Sequence, residues 1–359
     1  MNMEVNNSHK RSIWSRIVGE SNQMPPPTVD QAAKSLGGSD KEHSYSSIFY
    51  DLQDKEYYTI PKEKLNFVHY SRLSKPRRHD VEIMKRFDDE RVQRDFTTQM
   101  TDNQRYYAEN GYLILRKFIP DSLIDEYLAL RKRKGLDQGQ FSDNSAYVEH
   151  DEMLSIAAYK PLMDVIRELH GCDMGLIFTL TGFTSTLRGW HQDAYLDRDD
   201  AIPRLASWIS CGDVEEDCGP FEYVPGSHRW MALSNVKINE FLKPDYHWPG
   251  GHRVKVEGVP AWGRMSEAFI DPSVYAKIDR DGARIEKFTA KKGDVMLWYG
   301  RLMHRGSPPS RPGATRTGLI GHYAPVFERE RGYFARTLEG ARYLVPPRQY
   351  DTYFSQRQM

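Results

Sequence analysis

The sequence predicts a mainly β protein with flanking helices around a jelly-roll core. Helix-like segments come first along its regular part and many short strand-like runs follow, the order expected when helices pack outside a β barrel. Those runs are rich in β-branched and aromatic residues and are broken by Gly, Pro and Asp, as short strands are. No internal repeat is visible, and no stretch approaches the ~18 consecutive apolar residues of a membrane helix.

Of the 359 residues, positions 1–100 stand apart. Met24-Pro25-Pro26-Pro27 and Ser35-Leu36-Gly37-Gly38-Ser39 are linker-like, and residues 72–95 form a dense charge run with few apolar positions. This part is expected to be a partly irregular extension, followed by a domain over 101–345 and a tail over 346–359. In the domain, Thr101 or Asp102 can cap a helix over Gln104–Glu109, and Gly111 supplies its stop. Tyr112-Leu113-Ile114-Leu115 reads as a strand. Pro120-Asp121 starts a second helix, with Leu123, Ile124, Tyr127, Leu128 and Leu130 on its buried side. A third helix is expected from about Glu152 to His170, with Gly171 stopping it. The rhythm then turns to β, at Leu176–Thr181, Ala206–Ile209, Phe221–Val224, Val295–Trp298 and Thr317–Tyr323. Residues 235–285 are polar and punctuated by Gly and Pro. They are too long for a hairpin loop and read as an inserted, lid-like segment.

Composition narrows the partners. Lys+Arg and Asp+Glu are both 50, so the formal net charge is +0, which argues against a general nucleic-acid binder. Three cysteines, Cys172, Cys211 and Cys218, are too few and too odd in number for a disulfide framework, so a reducing compartment is expected. The first residues lack the apolar core of a secretory signal, and the last three are not a peroxisomal signal. The expected location is the cytoplasm, with no membrane partner. The sequence specifies no oligomeric state.

Only two of the twelve histidines have an acid two residues later, His150 with Glu152 and His191 with Asp193. In an extended segment residues i and i+2 project to the same side, so an imidazole and a carboxylate can converge on one ion. His191-Gln192-Asp193 follows a β-like run and a Gly189-Trp190 turn, which suits that geometry. His150 sits at a helix start, where i and i+2 diverge and the helix dipole accounts for the acids, so His150 reads as structural. Non-heme Fe(II) oxygenases use two histidines and one carboxylate on one face. The second histidine must then come from a distant strand, and His304, beyond the strand launched by Gly293-Asp294, is the candidate. Twelve residues later Arg316 enters an apolar strand, where burial is costly unless an anion meets it. A dicarboxylic acid would do so through a bidentate pair. His228, in the Pro225-Gly226-Ser227-His228 turn, reads as a turn stabiliser or cleft-rim residue, His322 as a core histidine, and Cys211 and Cys218 as ordinary thiols.

With these residues in place, the stretch from about Thr101 to Pro325 resembles the phytanoyl-CoA dioxygenase-like Fe(II)/2-oxoglutarate oxygenases. The pieces occur in order: Glu109–Leu115, Gly189-Trp190-His191-Gln192-Asp193, Ser207-Trp208-Ile209-Ser210, Asp217–His228 with Val224-Pro225-Gly226-Ser227-His228, Gly293-Asp294-Val295 with His304, then Arg316. The resemblance implies a double-stranded β-helix (cupin-like) barrel in which His191, Asp193 and His304 bind Fe(II). It implies that 2-oxoglutarate chelates the iron, with Arg316 on its far carboxylate and Trp208, Leu180 and Gln192 near it. Dioxygen would be the other cosubstrate, and succinate and CO2 products. Asp193 stands where related halogenases have a small residue, so hydroxylation of a small molecule is expected: a natural-product, sugar-containing or acyl metabolite. Desaturation, epoxidation, cyclisation or endoperoxidation on the same iron, or a non-catalytic jelly-roll binding module, are the alternatives. Trp190, Tyr195 and Phe221 are candidate substrate contacts. Two departures stand out: the His304-to-Arg316 spacing is twelve rather than ten or eleven, leaving Arg311 as a competitor, and Gly306 replaces a common hydroxyl residue, with Ser307 beside it.

Overall fold

A computed structural model of the chain describes residues 100–185, 188–193, 204–230, 255–256, 259–260, 274–275, 277–326 and 333–346. The expected extension up to residue 99, most of the 235–285 insertion, and the tail beyond Pro346 lie outside the described residues.

Thr101 caps helix α1 (Asp102–Asn110) through a capping box: its hydroxyl accepts from the Gln104 N–H, and the Gln104 side chain accepts from the Thr101 N–H. Gly111 ends the helix with φ 78°, a left-handed conformation that favours glycine. A Cβ there would also overlap the His228 imidazole, which packs directly beneath. Strand β1 (Tyr112–Leu115) follows, then α2 (Asp121–Arg133), which buries Ile124, Tyr127 and Leu130 as its periodicity requires.

The expected third helix is two helices, α3 (Asp151–Ala157) and α4 (Lys160–His170). Pro161 explains the correction. It lacks an N–H and its ring would clash with the carbonyl four residues back, so it is tolerated only in a first turn, where it sits in α4. Gly171, at φ 67°, closes α4 as expected.

The strands are β2 (Met174–Gly182), β3 (Leu205–Ser210), β4 (Phe221–Tyr223), β5 (Lys255–Val256), β6 (Val259–Pro260), β7 (Glu286–Phe288), β8 (Val295–Tyr299), β9 (His304–Gly306), β10 (Gly318–Pro325), β11 (Tyr333–Arg336) and β12 (Arg342–Val345). One sheet has the order β1-β8-β3-β10-β2-β12-β11, another β7-β4-β9, and β5 and β6 form a two-stranded ribbon within the insertion. The long-range order, with β8 between β1 and β3 and β10 between β3 and β2, is that of a jelly roll.

Period-2 alternation gives the seven-stranded sheet two faces. Leu176, Leu205, Leu297 and Leu319 pack with Ile124, Tyr127, Leu162 and Ile166 in a cluster shared with the helices. Ala206, Trp208, Met296 and Trp298 point the other way, against Phe221, Tyr223 and Phe288 of the small sheet. Registers align this inner face in rows. Ile114, Met296, Trp208, Ile320 and Leu180 form one row across β1, β8, β3, β10 and β2, and Tyr112, Trp298, Ala206, His322 and Phe178 form the next.

Candidate active site

Two segments 113 positions apart meet through their backbones. The His191 N–H donates to the His304 carbonyl and the His304 N–H to that of His191, both at 3.0 Å. This is a hydrogen-bonded antiparallel pair, so both side chains emerge on one side. β9 holds His304 on its other edge opposite Tyr223 of β4, and the two imidazoles lie 4.3 Å apart between centroids.

Each imidazole is turned by its own local backbone. His191 Nδ1 donates to the Gly189 carbonyl at 2.7 Å and His304 Nδ1 to the Leu302 carbonyl at 2.9 Å. A carbonyl only accepts, so Nδ1 carries a proton in each ring and Nε2 is the nitrogen left to face a ligand site. Both point toward Asp193 Oδ1, His191 Nε2 at 3.9 Å and His304 Nε2 at 3.6 Å. The other Asp193 oxygen, Oδ2, accepts from the Trp298 indole N–H at 2.9 Å. One candidate ligand atom from each of the three side chains lies within 4.8 Å of the others.

The protonation states suit a cation. Burial holds His191 well below the usual histidine range, helped by His304 and Arg188. Burial pushes the Asp193 carboxyl up, but His304, His322, His191 and the Trp298 N–H together bring it below the usual carboxylate range. Neutral imidazoles and an ionised carboxylate are the forms that bind metal. A buried two-histidine, one-carboxylate donor set fits Fe(II) with positions left over for other ligands.

Further along the barrel, Arg316 is 3% exposed. Its Nε and Nη1 have no hydrogen-bond partner among the described residues, and Nη2 reaches Ser185 Oγ at 3.4 Å. Its guanidinium lies over the Trp208 ring at 4.3 Å. Burial pushes it down to about 9. A buried cation with free donors is costly, and a carboxylate ligand relieves that cost. Arg311, by contrast, is on the surface and already paired with Asp217. Gly318 shapes this end, because any Cβ there would overlap the Trp208 indole nitrogen.

Residues 107–317 match the sequence profile of the phytanoyl-CoA dioxygenase family. The chain belongs to that family. Its members are non-heme iron, 2-oxoglutarate-dependent oxygenases, and iron and 2-oxoglutarate are therefore its cofactors. No curated protein sequence matches the chain. Solved structures with a similar fold include the non-heme alpha ketoglutarate dependent epimerase SnoN from nogalamycin biosynthesis, at 16% identity over 62% of this chain and 82% of SnoN, with TM-score 0.45. EctD from S. alaskensis with bound Fe matches at 18% identity over 64% and 80%, with TM-score 0.45. HygX from Streptomyces hygroscopicus with iron bound matches at 17% identity over 69% and 96%, with TM-score 0.43.

Within this phytanoyl-CoA dioxygenase-family chain the remaining expected residues are distributed unevenly. Leu180 shares the inner-face row of Trp208 and is 37% exposed. Gln192 is fully buried between the two ligand positions. Phe221 stacks on His304 (4.9 Å, 17°) and packs against Trp298, so it backs a ligand. Trp190 is buried, with the Arg305 guanidinium 4.9 Å above its ring. Tyr195 lies outside the described residues. His150 precedes α3 and packs on Phe141, away from the cluster. His228 is fully buried and donates from Nε2 to the Ala108 carbonyl, which ties its turn to α1. His322 stacks on Phe178 at 4.2 Å. All three cysteines are free thiols.

Sequence reasoning missed two residues of this dioxygenase's site. Trp298, inside an apolar strand, is the hydrogen-bond partner of Asp193. Ser185, not Ser307, is the hydroxyl next to Arg316: the Ser307 hydroxyl is committed to the Pro220 carbonyl at 2.6 Å, while its own carbonyl accepts from Ser185 at 2.5 Å. Among the described residues no helix is long and apolar enough to cross a membrane.

Proposed function

We propose that His191, Asp193 and His304 hold Fe(II), that Arg316 anchors the far carboxylate of 2-oxoglutarate, and that the enzyme hydroxylates a small molecule. The convergence of two Nε2 atoms and one carboxylate oxygen on a single point carries this reading. When bound, the iron supplies dioxygen activation coupled to conversion of 2-oxoglutarate to succinate and CO2. The protein's own part is positional. The Gly189 and Leu302 carbonyls fix both imidazoles, and the Trp298 N–H fixes Asp193. Trp208 presents a flat wall beneath the Arg316 guanidinium, and Ser185 steadies one end of it. The aromatic inner face excludes water from the reacting centre. Asp193 occupies the position that a halide would need, which supports hydroxylation. The catalytic domain is proposed to span 101–345, with the 235–285 insertion contributing to substrate choice.

Anaerobic protein given Fe(II) and 2-oxoglutarate is expected to develop a weak visible charge-transfer band. The band should vanish in His191→Ala and persist in His150→Ala. A wild-type protein that binds no iron and converts no 2-oxoglutarate to succinate overturns the reading and returns the chain to a binding-module role.

A further inference from the structure

The iron ligands are wired to an aromatic series that leaves the barrel. Trp298 donates to Asp193 and its ring lies 5.5 Å from His304. Phe221 lies 4.8 Å from Trp298 and 6.1 Å from Tyr223. Tyr223 lies 4.6 Å from Tyr112, and Tyr112 lies 5.5 Å from Tyr106. Tyr112 is also the register partner of Trp298 across β1 and β8. The neighbouring pair is the hydrogen-bonded one, because the Tyr299 N–H donates to the Gly111 carbonyl, so Tyr112 and Trp298 occupy the close, non-hydrogen-bonded kind of position. Tyr106 ends the series at the surface, 42% exposed.

The phenols form an ordered proton path as well. Tyr106 donates to the Tyr112 oxygen at 2.7 Å, and Tyr112 donates to Glu286 Oε2 at 3.1 Å. Tyr223 donates to the same carboxylate oxygen at 3.2 Å. Packing alone would be met by phenylalanine. Two hydroxyls on one partly exposed carboxylate, with a third donating to one of them, are what the one-electron oxidation of a phenol needs, because the phenol must shed its proton as it loses the electron. Burial also raises the Tyr112 and Tyr223 phenols well above their ordinary range, so a specific acceptor is required.

We propose that Trp298, Tyr223, Tyr112 and Tyr106 form a redox chain that drains oxidising equivalents from the iron site to the surface when turnover starts without substrate. The inference rests on the iron-site reading above. In such a turnover the oxidant formed from iron, 2-oxoglutarate and dioxygen takes one electron from the Trp298 indole, and Tyr223 or Tyr112 refills it. The oxidised phenol passes its O–H proton to Glu286. Tyr106 refills Tyr112 with an electron and, across their hydrogen bond, a proton. A thiol or ascorbate at the surface then returns one electron and one proton to Tyr106. Glu286, which is partly exposed, gives each proton on to solvent, and the iron site takes up two protons from solvent, so that two such transfers restore Fe(II) and release one dioxygen oxygen as water. The sum is 2-oxoglutarate plus O2 plus two thiols giving succinate, CO2, water and one disulfide. Phe221 only bridges, since it is not oxidised.

The test is substrate-free turnover of the full chain with Fe(II), 2-oxoglutarate and O2, with no added reductant. Succinate is measured beside freeze-quenched electron paramagnetic resonance and peptide mapping of oxidised residues. The expected result is a tyrosyl radical signal with modification centred on Tyr106, both suppressed by ascorbate or glutathione. Tyr106→Phe, a surface change, should leave the iron–2-oxoglutarate band intact, move oxidation back to Tyr112, Tyr223 or Trp298, and speed self-inactivation several-fold. Glu286→Gln should diminish the radical signal. Succinate formed with no radical and no modification along the chain overturns the proposal and leaves the oxygenase reading standing. The same holds if Tyr106→Phe maps identically to wild type. Absence of succinate overturns both.

Discussion

The two ends of the barrel interior are built on opposite principles. At the proposed iron end the supporting polar atoms are already committed: both Nδ1 atoms to carbonyls and the second Asp193 oxygen to Trp298. At the Arg316 end, two guanidinium nitrogens have no partner among the described residues, and the ring of Trp208 supports the charge without neutralising it. The iron end is organised before its ligand comes, so binding a cation there costs little rearrangement. The Arg316 end is held in a state that is poor by itself and good only with an anion. A resident cofactor suits the first arrangement, and a cosubstrate consumed at every turnover suits the second.

The largest effect should come from removing the strained charge. Arg316→Leu is expected to weaken 2-oxoglutarate binding about 100-fold, since two charge-assisted hydrogen bonds of roughly 1.5 kcal/mol each are lost. Melting of the ligand-free protein should be unchanged or higher, because an unpaired buried cation is replaced by an apolar side chain. Titration of the charge-transfer band and thermal melts with and without 2-oxoglutarate check both halves. A lower melting temperature in the ligand-free variant would break the comparison.

Acid should act on the scaffold that supports both ends. His170 and His228 are buried and held at about 3, below the ordinary 6.5, by desolvation. Above pH 6.5 neither state binds the proton. Below it the unfolded chain does and the folded one does not, so stability falls with pH until about 3. At pH 5 each histidine is expected to cost roughly 2 kcal/mol. Urea unfolding at pH 7 and pH 5 measures this, and His228→Gln should flatten the slope.

Next, Trp298→Phe keeps the ring and deletes the N–H, orphaning Asp193 Oδ2. Iron affinity, read by chelator competition, should fall about tenfold. An unchanged affinity would show that the iron end is not organised from behind. The smallest effect is expected at Gly318→Ala, where the added methyl must displace the Trp208 indole. About 1 kcal/mol of overpacking should appear as a several-fold weaker 2-oxoglutarate affinity, with iron affinity untouched.

What was legible in the sequence was whatever a local rule specifies. The alternation of a strand puts His191 and Asp193 on one side, and an arginine opening an apolar strand demands an anion whatever surrounds it. The capped first helix and six of the strands were readable for the same reason. The third helix was misread because the apolar period runs on through Ala158 and Tyr159, while Pro161 forbids continuity at a single position. Trp298 and Ser185 were invisible because their roles depend on closure of the barrel. Nothing within a few residues of Trp298 shows that its N–H meets a carboxylate 105 positions away. Choosing between Ser185 and Ser307 likewise depends on which hydroxyl the Pro220 carbonyl captures.

The reciprocal backbone pair between His191 and His304 works as a clasp. Because the loop it closes is already long, doubling it would add only about 0.6 kcal/mol of closure entropy. The 235–285 stretch inside that loop can therefore lengthen, shorten or be exchanged while the donor atoms keep their places. Grafting a foreign 235–285 segment is expected to leave iron affinity unchanged and to alter the range of substrates that drive succinate formation.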